Sequence, residues 1–271
     1  MLILILILIL FFIISLKSKF KSNFSKEKKS IALISLMYLP KNIETWLEIH
    51  RKLGISHFYI RLEDTPDLVE YLSSQPDVTL MVETSNDSNQ YTTLQTRQTE
   101  TMDKVIKLCK KSGIDFLIHI DCDEILEGNL EEIRSLPESV GTFWMQNYEA
   151  VYEGIPTKMD NCFAAKFYRN CSEIDSGCAS YANGKGGGRI KSNLKSNGPH
   201  RFSSNGSEVK LDNLILKHYE SCDFDQYIKK YSRLKQGVKL DDIPFPYYRE
   251  SILANGDTDQ LKSVYTKYRT G

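Results

Sequence analysis

An excess of charge of either sign is missing from this sequence: Lys plus Arg and Asp plus Glu stand at 35 each in 271 residues. Without a bulk positive field the chain has no electrostatic footprint for nucleic acid, and that class of partner is set aside. Any phosphate recognition has to come from a local cluster. No CxxC pair occurs among the six cysteines, which argues against a zinc site. Internal repeats are absent, and nothing suggests a second core. Apolar residues make up 41% of the chain, enough for one large α/β domain with a substantial core.

The first sixteen residues stand apart. Leu2 to Ile14 is unbroken apolar sequence, followed by Ser15 and Leu16. As a helix the run covers roughly 20–24 Å, short of a hydrocarbon core of about 30 Å. A short membrane anchor, a signal peptide and a buried helix stay open. No charged segment precedes the run and no clear small-residue cleavage site follows it, so residues 1–16 are read first as an anchor. Residues 17–30 are rich in Lys and Ser and read as a basic tether. Its lysines, from Lys17 to Lys29, favour a cytoplasmic domain and an anionic lipid surface. Four N-x-S/T sequons, at Asn23, Asn86, Asn170 and Asn205, allow the opposite, luminal orientation. Cysteine usage does not decide between them: Cys162, Cys171 and Cys178 cluster and are close enough in sequence for one bridge, whereas Cys122 reads as a plain thiol.

The globular part is expected over residues 31–271. Ile31–Met37 is a continuous apolar run suited to a strand buried on both faces. Pro40 then opens a helix with Ile43, Trp46, Leu47, Ile49 and Leu53 on one side and Gly54 at its end. His57–Leu62 and Val78–Val82 read as strands, Asp67–Leu72 as a short helix and Tyr91–Lys111 as a long one. Asp115–Ile120 is a fourth strand. This alternation predicts an α/β fold: a mostly parallel, Rossmann-type sheet with helices on both faces. Beyond Pro137 the pattern becomes mixed and loop-rich. Thr142–Asn147, Cys162–Tyr168, Arg189–Lys191 and Val209–Lys217 read as shorter strands, Asn183–Gly188 as a glycine loop, and Phe224–Leu234 as a final helix.

The chemistry is expected at Asp121-Cys122-Asp123-Glu124. It lies at the carboxyl end of a buried strand, where open α/β sheets bind ligands. Two carboxylates at i and i+2 disfavour each other's ionisation. A divalent cation removes that conflict, and oxygen ligands suit Mn²⁺ or Mg²⁺. Such an ion can neutralise a diphosphate leaving group. The plainer alternative is an acidic turn capping a following helix near Glu124 and Asn129.

Phe116-Leu-Ile-His-Ile-Asp-Cys-Asp-Glu-Ile-Leu126 resembles the DxD signature of GT-A-fold glycosyltransferases, with closest similarity to the group related to families 2 and 92 (DUF23-like). Three further stretches match that group in order: Lys41–His50 with Leu53–Ile60, then Gly198-Pro199-His200, then Lys217-His218-Tyr219 ahead of a helix with Phe224, Tyr227 and Lys229. The resemblance runs from about residue 31 to 237. It implies a metal-dependent, inverting enzyme of hexosyltransferase type. The donor would be a nucleotide-sugar, UDP- or GDP-linked, and the acceptor a glycan, protein or lipid. Asp121 and Asp123 would be metal ligands, Asp123 would also be catalytic, and His218 would be the third ligand, with His200 as competitor. One departure matters: where the group carries an Asp-Asn-x-Ser-x-Asp turn, this chain has Leu62-Glu63-Asp64-Thr65-Pro66-Asp67.

In that altered turn Glu63 and Asp64 keep acids where the resemblance implies base or ribose contacts, but the Asn and Ser are gone, and surface acids are the alternative. Other candidates come from the residues themselves. Lys185, Arg189 and Lys191 straddle the glycine run, as a basic loop closing over a diphosphate would. Arg97, early in the long helix, is either a phosphate contact or a solvated residue. An inverting transferase needs a carboxylate base, and Glu149, just past Phe143–Asn147, is the candidate. Trp144 and Tyr148 are candidates for stacking on a sugar ring, with core packing the simpler role for Trp144.

Two rival functions share the acidic cluster. The letters also approximate the nucleophile motif of haloacid-dehalogenase-like phosphohydrolases, with Asp121 attacking phosphorus, Asp123 as acid/base and Asp241-Asp242 as a later acidic pair. That motif belongs on a first strand, whereas three strand–helix units precede it here. A non-catalytic cation- or carbohydrate-binding protein is the other rival.

Overall fold

The computed structural model describes residues 28–84, 93–156, 162–170, 181–234, 239–243 and 245–271. The apolar run Leu2–Ile14, the tether up to residue 27, the sequons at Asn23 and Asn86, and both Cys171 and Cys178 lie outside the described residues. Among the described residues no helix is long and apolar enough to cross a membrane.

The first half follows the expected alternation: β1 (Ile31–Tyr38), α1 (Ile43–Leu53), β2 (His57–Glu63), α2 (Val69–Ser73), β3 (Val78–Glu83), α3 (Leu94–Ser112) and β4 (Phe116–His119). Gly54, at φ 107°, ends α1 in the left-handed conformation that its sequence position suggested. The second half is β5 (Glu124–Gly128), α4 (Glu131–Arg134), β6 (Val140–Met145), β7 (Asn147–Val151), β8 (Phe167–Asn170), β9 (Lys185–Arg189), β10 (Lys195–Ser196), β11 (Phe202–Ser203), β12 (Ser207–Lys210), β13 (Leu214–His218), α5 (Phe224–Leu234), α6 (Pro246–Ala254) and α7 (Thr258–Arg269).

A seven-stranded sheet has the order β12-β6-β9-β4-β1-β2-β3. Strands β4, β1, β2 and β3 run parallel, as do β6 and β12, while β9 runs antiparallel between β4 and β6. Successive side chains leave opposite faces of a strand, so one continuous apolar run supplies two cores. Ile31, Leu33 and Met37 pack on the face that holds Trp46 and Leu47 of α1, whereas Ala32 and Ile34 pack with Met102, Val105, Ile106 and Cys109 of α3. A four-stranded sheet, β5-β13-β7-β8, adjoins the carboxyl end of β4. The α/β class with a mostly parallel central sheet and flanking helices is therefore the fold of this chain.

Several local expectations need correction. The glycine run is not a loop but strand β9, buried between β4 and β6. Arg189–Lys191 is not a strand of its own, because Arg189 ends β9 and Ile190–Ser192 is a 3-10 turn. Val209–Lys217 divides into β12 and β13, which enter different sheets. In the 162–168 segment the strand begins only at Phe167. Glu124 opens β5 rather than a helix. The disulfide joins Cys162 to Cys222, sixty residues apart, instead of lying within the cysteine cluster. A cross-link of that span removes about 4 kcal/mol of loop-closure freedom from the unfolded chain in the entropic account. Cys122 is a free thiol, as read.

Candidate active site

Strand β1 and strand β4 end side by side, and the chain after β4 turns at Asp121 and Asp123 before entering β5. Two residues of α1 brace that turn. Trp46 donates its indole N–H to the Glu124 carbonyl at 2.8 Å. His50 donates from Nδ1 to the Trp46 carbonyl at 2.8 Å and accepts the Leu126 N–H on Nε2 at 3.1 Å. Burial pushes the His50 imidazole down to about 3, so it stays neutral and keeps both roles. The N-terminal motif and the acidic motif are thus one structural unit.

Asp121 and Asp123 point to different partners. Asp121 Oδ2 accepts from Lys185 Nζ at 2.6 Å, and its Oδ1 accepts from Gln98 Nε2 of α3 at 2.8 Å. Burial would raise the Asp121 carboxyl, but Lys185 and His119 outweigh it and hold it below the usual carboxylate value. Asp123 Oδ2 lies 3.6 Å from His218 Nε2. Burial opposes ionisation of Asp123 too, and the charge of His218 again prevails, leaving it well below the ordinary range. Glu124 is different. It is fully buried and accepts the Asp121 N–H on Oε2 at 2.6 Å, and its Oε1 has no hydrogen-bond partner. Burial pushes its carboxyl up to about 8, so it is mostly protonated at neutral pH.

The backbone explains why His218 arrives here. Strand β13 pairs antiparallel with β5, setting His218 opposite Glu124, and parallel with β7, setting it beside Glu149. The Tyr219 N–H donates to the Asp123 carbonyl at 2.8 Å. His218 Nδ1 donates to Glu149 Oε1 at 2.7 Å, and Glu149 Oε2 accepts from Arg269 Nη1 at 2.7 Å. Burial would lower the His218 imidazole, but Glu149 and Asp123 raise it well above its usual value. Arg269 is wholly buried at the end of α7 and also donates to the Glu220 carbonyl. Glu220 in turn accepts from Lys230 of α5 at 2.7 Å. A chain of alternating charges therefore runs from the C-terminal helices to the imidazole.

Lys185 owes its place to strand direction. Strand β9 runs antiparallel to β4, with Ile118 opposite Gly187, so its first residue lies at the carboxyl end of β4 and its last at the amino end. Lys185 and Arg189 are four residues apart along an extended strand, about 13 Å. Arg189 is accordingly withdrawn as a diphosphate contact: it donates to the carbonyls of Leu136, Pro137 and Val140 and pairs with Glu138. Glu149 is corrected as well. It is 2% exposed with both carboxylate oxygens engaged, an arrangement that orients His218 rather than one that receives an acceptor's proton. Glu63 is no surface acid: it is buried at the end of β2, where Oε1 accepts from Arg61 and Arg97, each at 2.9 Å. Arg97 is therefore an ion-pair partner and not a solvated helix residue. Asp64 follows in the left-handed conformation, at φ 45°. Trp144 lies under the guanidinium of Arg201 and the ammonium of Lys210.

His200 stands apart from the Asp123–His218 pair. It donates from Nδ1 to the Gly184 carbonyl at 2.8 Å and packs edge-on against Tyr181, whose ring also meets His218. Burial and then Lys185 bring its imidazole down to about 3. His119 is held similarly, with Nδ1 on the Pro199 carbonyl at 2.7 Å and Nε2 without a partner, 4.0 Å from Asp121. Gln98, His119, Tyr181, Glu220, Lys230 and Arg269 were not singled out from sequence. Only His119, inside the acidic motif, carried a local signal.

Among the described residues no three His, Cys, Asp or Glu side chains converge as a ready cage for a metal ion. The donor chemistry still fits a divalent cation at two protein ligands. A carboxylate oxygen of Asp123 faces an imidazole nitrogen of His218, and the other imidazole nitrogen is held by a carboxylate, the usual second-layer arrangement of a ligating histidine. The proton that Glu149 and Asp123 keep on His218 is the one a cation would displace. Mg²⁺ and Mn²⁺ sites commonly fill their remaining positions with substrate phosphates and water.

No family model matches the chain. It is similar to two Arabidopsis thaliana proteins. One is Glycosyltransferase-like At2g41451, 24% identical over 237 positions, covering 69% of this chain and 52% of that protein. The other is Glycosyltransferase-like At3g57200, 22% identical over 223 positions, covering 64% and 43%. This chain thus spans about half the length of the curated relatives it matches. Among solved structures, HddC from Yersinia pseudotuberculosis aligns over 71% of this chain and 79% of that one at 8% identity and a TM-score of 0.31. A putative glucose-1-phosphate thymidylyltransferase from Bacillus anthracis aligns over 75% and 78% at 11% identity and a TM-score of 0.29. Structural likeness at that level decides nothing about function. The sequence relatives support a glycosyltransferase in general terms, without choosing a family within that class.

Proposed function

We propose that this chain is a metal-dependent glycosyltransferase of GT-A type, resembling the family 2 and 92 group. It would move a sugar from a UDP- or GDP-linked donor to a glycan, protein or lipid acceptor with inversion. The observation that carries the reading is the meeting of Asp123 and His218 at 3.6 Å, at the carboxyl edge of the parallel sheet. Sequence relatives named glycosyltransferase-like support it. Residues 1–16, outside the described residues, are proposed as a membrane anchor.

In this reading Asp123 and His218 hold Mn²⁺ or Mg²⁺, which when bound supplies positive charge to a departing diphosphate. Glu149 and Arg269 keep the His218 ring turned so that Nε2 faces Asp123. Lys185 offsets the charge of Asp121, and Gln98 holds that carboxylate from the α3 side. Asp121, the other metal ligand expected from sequence, has both carboxylate oxygens held by Lys185 and Gln98 and is proposed as an acceptor for donor hydroxyls. Glu124 fixes the turn by accepting the Asp121 N–H.

The test is a panel of nucleotide-sugars and small phosphoesters incubated with the chain and Mn²⁺. Release of a nucleoside diphosphate from one donor, with no phosphoester turnover, is expected. Phosphoester hydrolysis alone would place the cluster with the phosphohydrolases. Glycan binding with neither reaction would leave a carbohydrate-binding protein.

A further inference from the structure

The Cys162–Cys222 bridge and the sequon Asn205-Gly206-Ser207 are independent of the acidic cluster, and together they bear on the compartment. A structural disulfide forms and persists in an oxidising lumen, not in a reducing cytosol. This weighs against the cytoplasmic orientation that the lysine flank suggested.

Asn205 sits where an acceptor asparagine has to sit. It is exposed, in the bend between β11 and β12. The bend is shaped by backbone groups: the Asn205 N–H donates to the Ser192 carbonyl and the Ser207 N–H to the Ser139 carbonyl, each at 2.9 Å. Nothing in that pattern uses the Asn205 amide, so the side chain is free for chemistry while the turn keeps its shape. The position is also permissive for the proposed activity. Ser207 pairs with Val140, the first residue of β6, and β6 runs in the same direction as β4. Asn205 therefore lies at the amino edge of the sheet, opposite the carboxyl edge that carries Asp121 and Asp123. Strand β12 is the sheet's outer strand, and a bulky polar group at its start guards an edge open to pairing with another chain.

We propose that Asn205 carries an N-linked glycan and that the domain faces an oxidising lumen. In the transfer, Nδ2 of Asn205 forms a bond to the anomeric carbon of a lipid-diphosphate-linked oligosaccharide. The bond from that carbon to the phosphate oxygen breaks, the lipid diphosphate leaves with the electron pair, and the amide gives up one proton. Of the sequon at Asn170 only the asparagine is described, on β8 in a ladder with Tyr148, while its Cys171 and Ser172 lie outside the described residues.

The experiment uses the full chain expressed with its own N-terminus in a eukaryotic secretory host. Peptide-N-glycosidase digestion is followed by electrophoresis and by mass spectrometry of the Asn205 peptide. The expected result is deglycosylation that converts Asn205 to Asp in the wild type. Asn205→Gln and Ser207→Ala should each lose one glycan's worth of mobility shift, while Ser207→Thr, which keeps the sequon, should retain it. An Asn205 peptide recovered with its amide unmodified, or a shift unchanged by Asn205→Gln, overturns the proposal. Because Asn205 lies away from the acidic cluster, nucleotide-sugar turnover by the variants reports separately on the proposed function.

Discussion

At the scale of single residues, the site is a problem of too much buried charge, and the structure answers it unequally at each acid. Asp121 has Lys185, Asp123 has His218, and Glu124 has no cation within hydrogen-bond reach; Lys185 Nζ stands 3.9 Å from its Oε2. Glu124 therefore keeps its proton. Its folded value of about 8 lies above the ordinary 4.5, so the unfolded chain releases the proton first as pH rises. Stability of the metal-free protein should be highest below about 4.5 for this group and decline through to about 8, where the slope ends. Glu124→Gln keeps an acceptor for the Asp121 N–H and cannot ionise, so denaturant midpoints measured across that interval should lose this decline. An unchanged slope in the variant would show that Glu124 is ionised in the native protein. The presence of the acid pair was legible in sequence because two carboxylates after an apolar strand are rarely neutral company. The division of labour was not, since Lys185 lies 64 residues away from Asp121 and His218 lies 69 residues from Glu149.

At the scale of elements, strand β9 shows why composition misled. Gly186, Gly187 and Gly188 read as a loop because glycine usually marks one. Here the strand is wedged between β4 and β6 under bulky neighbours, and a Cβ on Gly187 would come within 2.6 Å of the Phe143 ring and 2.7 Å of the Leu117 carbonyl oxygen. The glycines are there for close approach, which local sequence cannot express. Gly187→Ala should cost about 1–3 kcal/mol by overpacking, read as a lowered thermal midpoint. An unaffected midpoint would mean that β9 sits more loosely than described. By contrast, β1 to β4 were readable because a fully buried parallel strand must be apolar on both faces. The last two helices, α6 and α7, were not expected at all. Their aromatic residues pack in a tyrosine-rich core around Tyr227, Tyr231, Tyr247 and Tyr265, and the amphipathic pattern of α6 is weak. Yet α7 delivers Arg269 to Glu149. Glu149→Gln should lower Mn²⁺ affinity about 10–100-fold, as loss of a ligand's outer partner does. It should also destabilise the fold by about 3–5 kcal/mol, because buried Arg269 loses its nearest counter-charge and keeps only the Glu220 carboxylate, 4.0 Å from Nε. Calorimetric Mn²⁺ titration of the folded variant with unchanged affinity would separate Glu149 from the metal site.

At the scale of the whole molecule, two sheets meet at one edge. The parallel sheet supplies Asp121 and Asp123 at the turn after β4, and the four-stranded sheet supplies His218 and Glu149. The first sheet could be inferred from its periodicity. The second depends on pairings between β5, β13 and β7, which are far apart in the chain, and on a disulfide between residues 60 apart. The resemblance of motifs, the strand-like stretch Asp212–Lys217 ahead of His218 and the Gly-Pro turn ahead of His200 favoured His218 over His200. The account stands on the pair that closes between the two sheets. Its most direct test is Mn²⁺-dependent release of nucleoside diphosphate from a UDP- or GDP-sugar by the wild type and by Asp123→Asn, with circular dichroism confirming that both are folded. The account predicts turnover that requires the metal and falls about 100-fold or more in Asp123→Asn, in keeping with the several kcal/mol that a bound cation contributes at a leaving group. Turnover that persists in the folded variant, or that does not respond to removal of the metal, would contradict it.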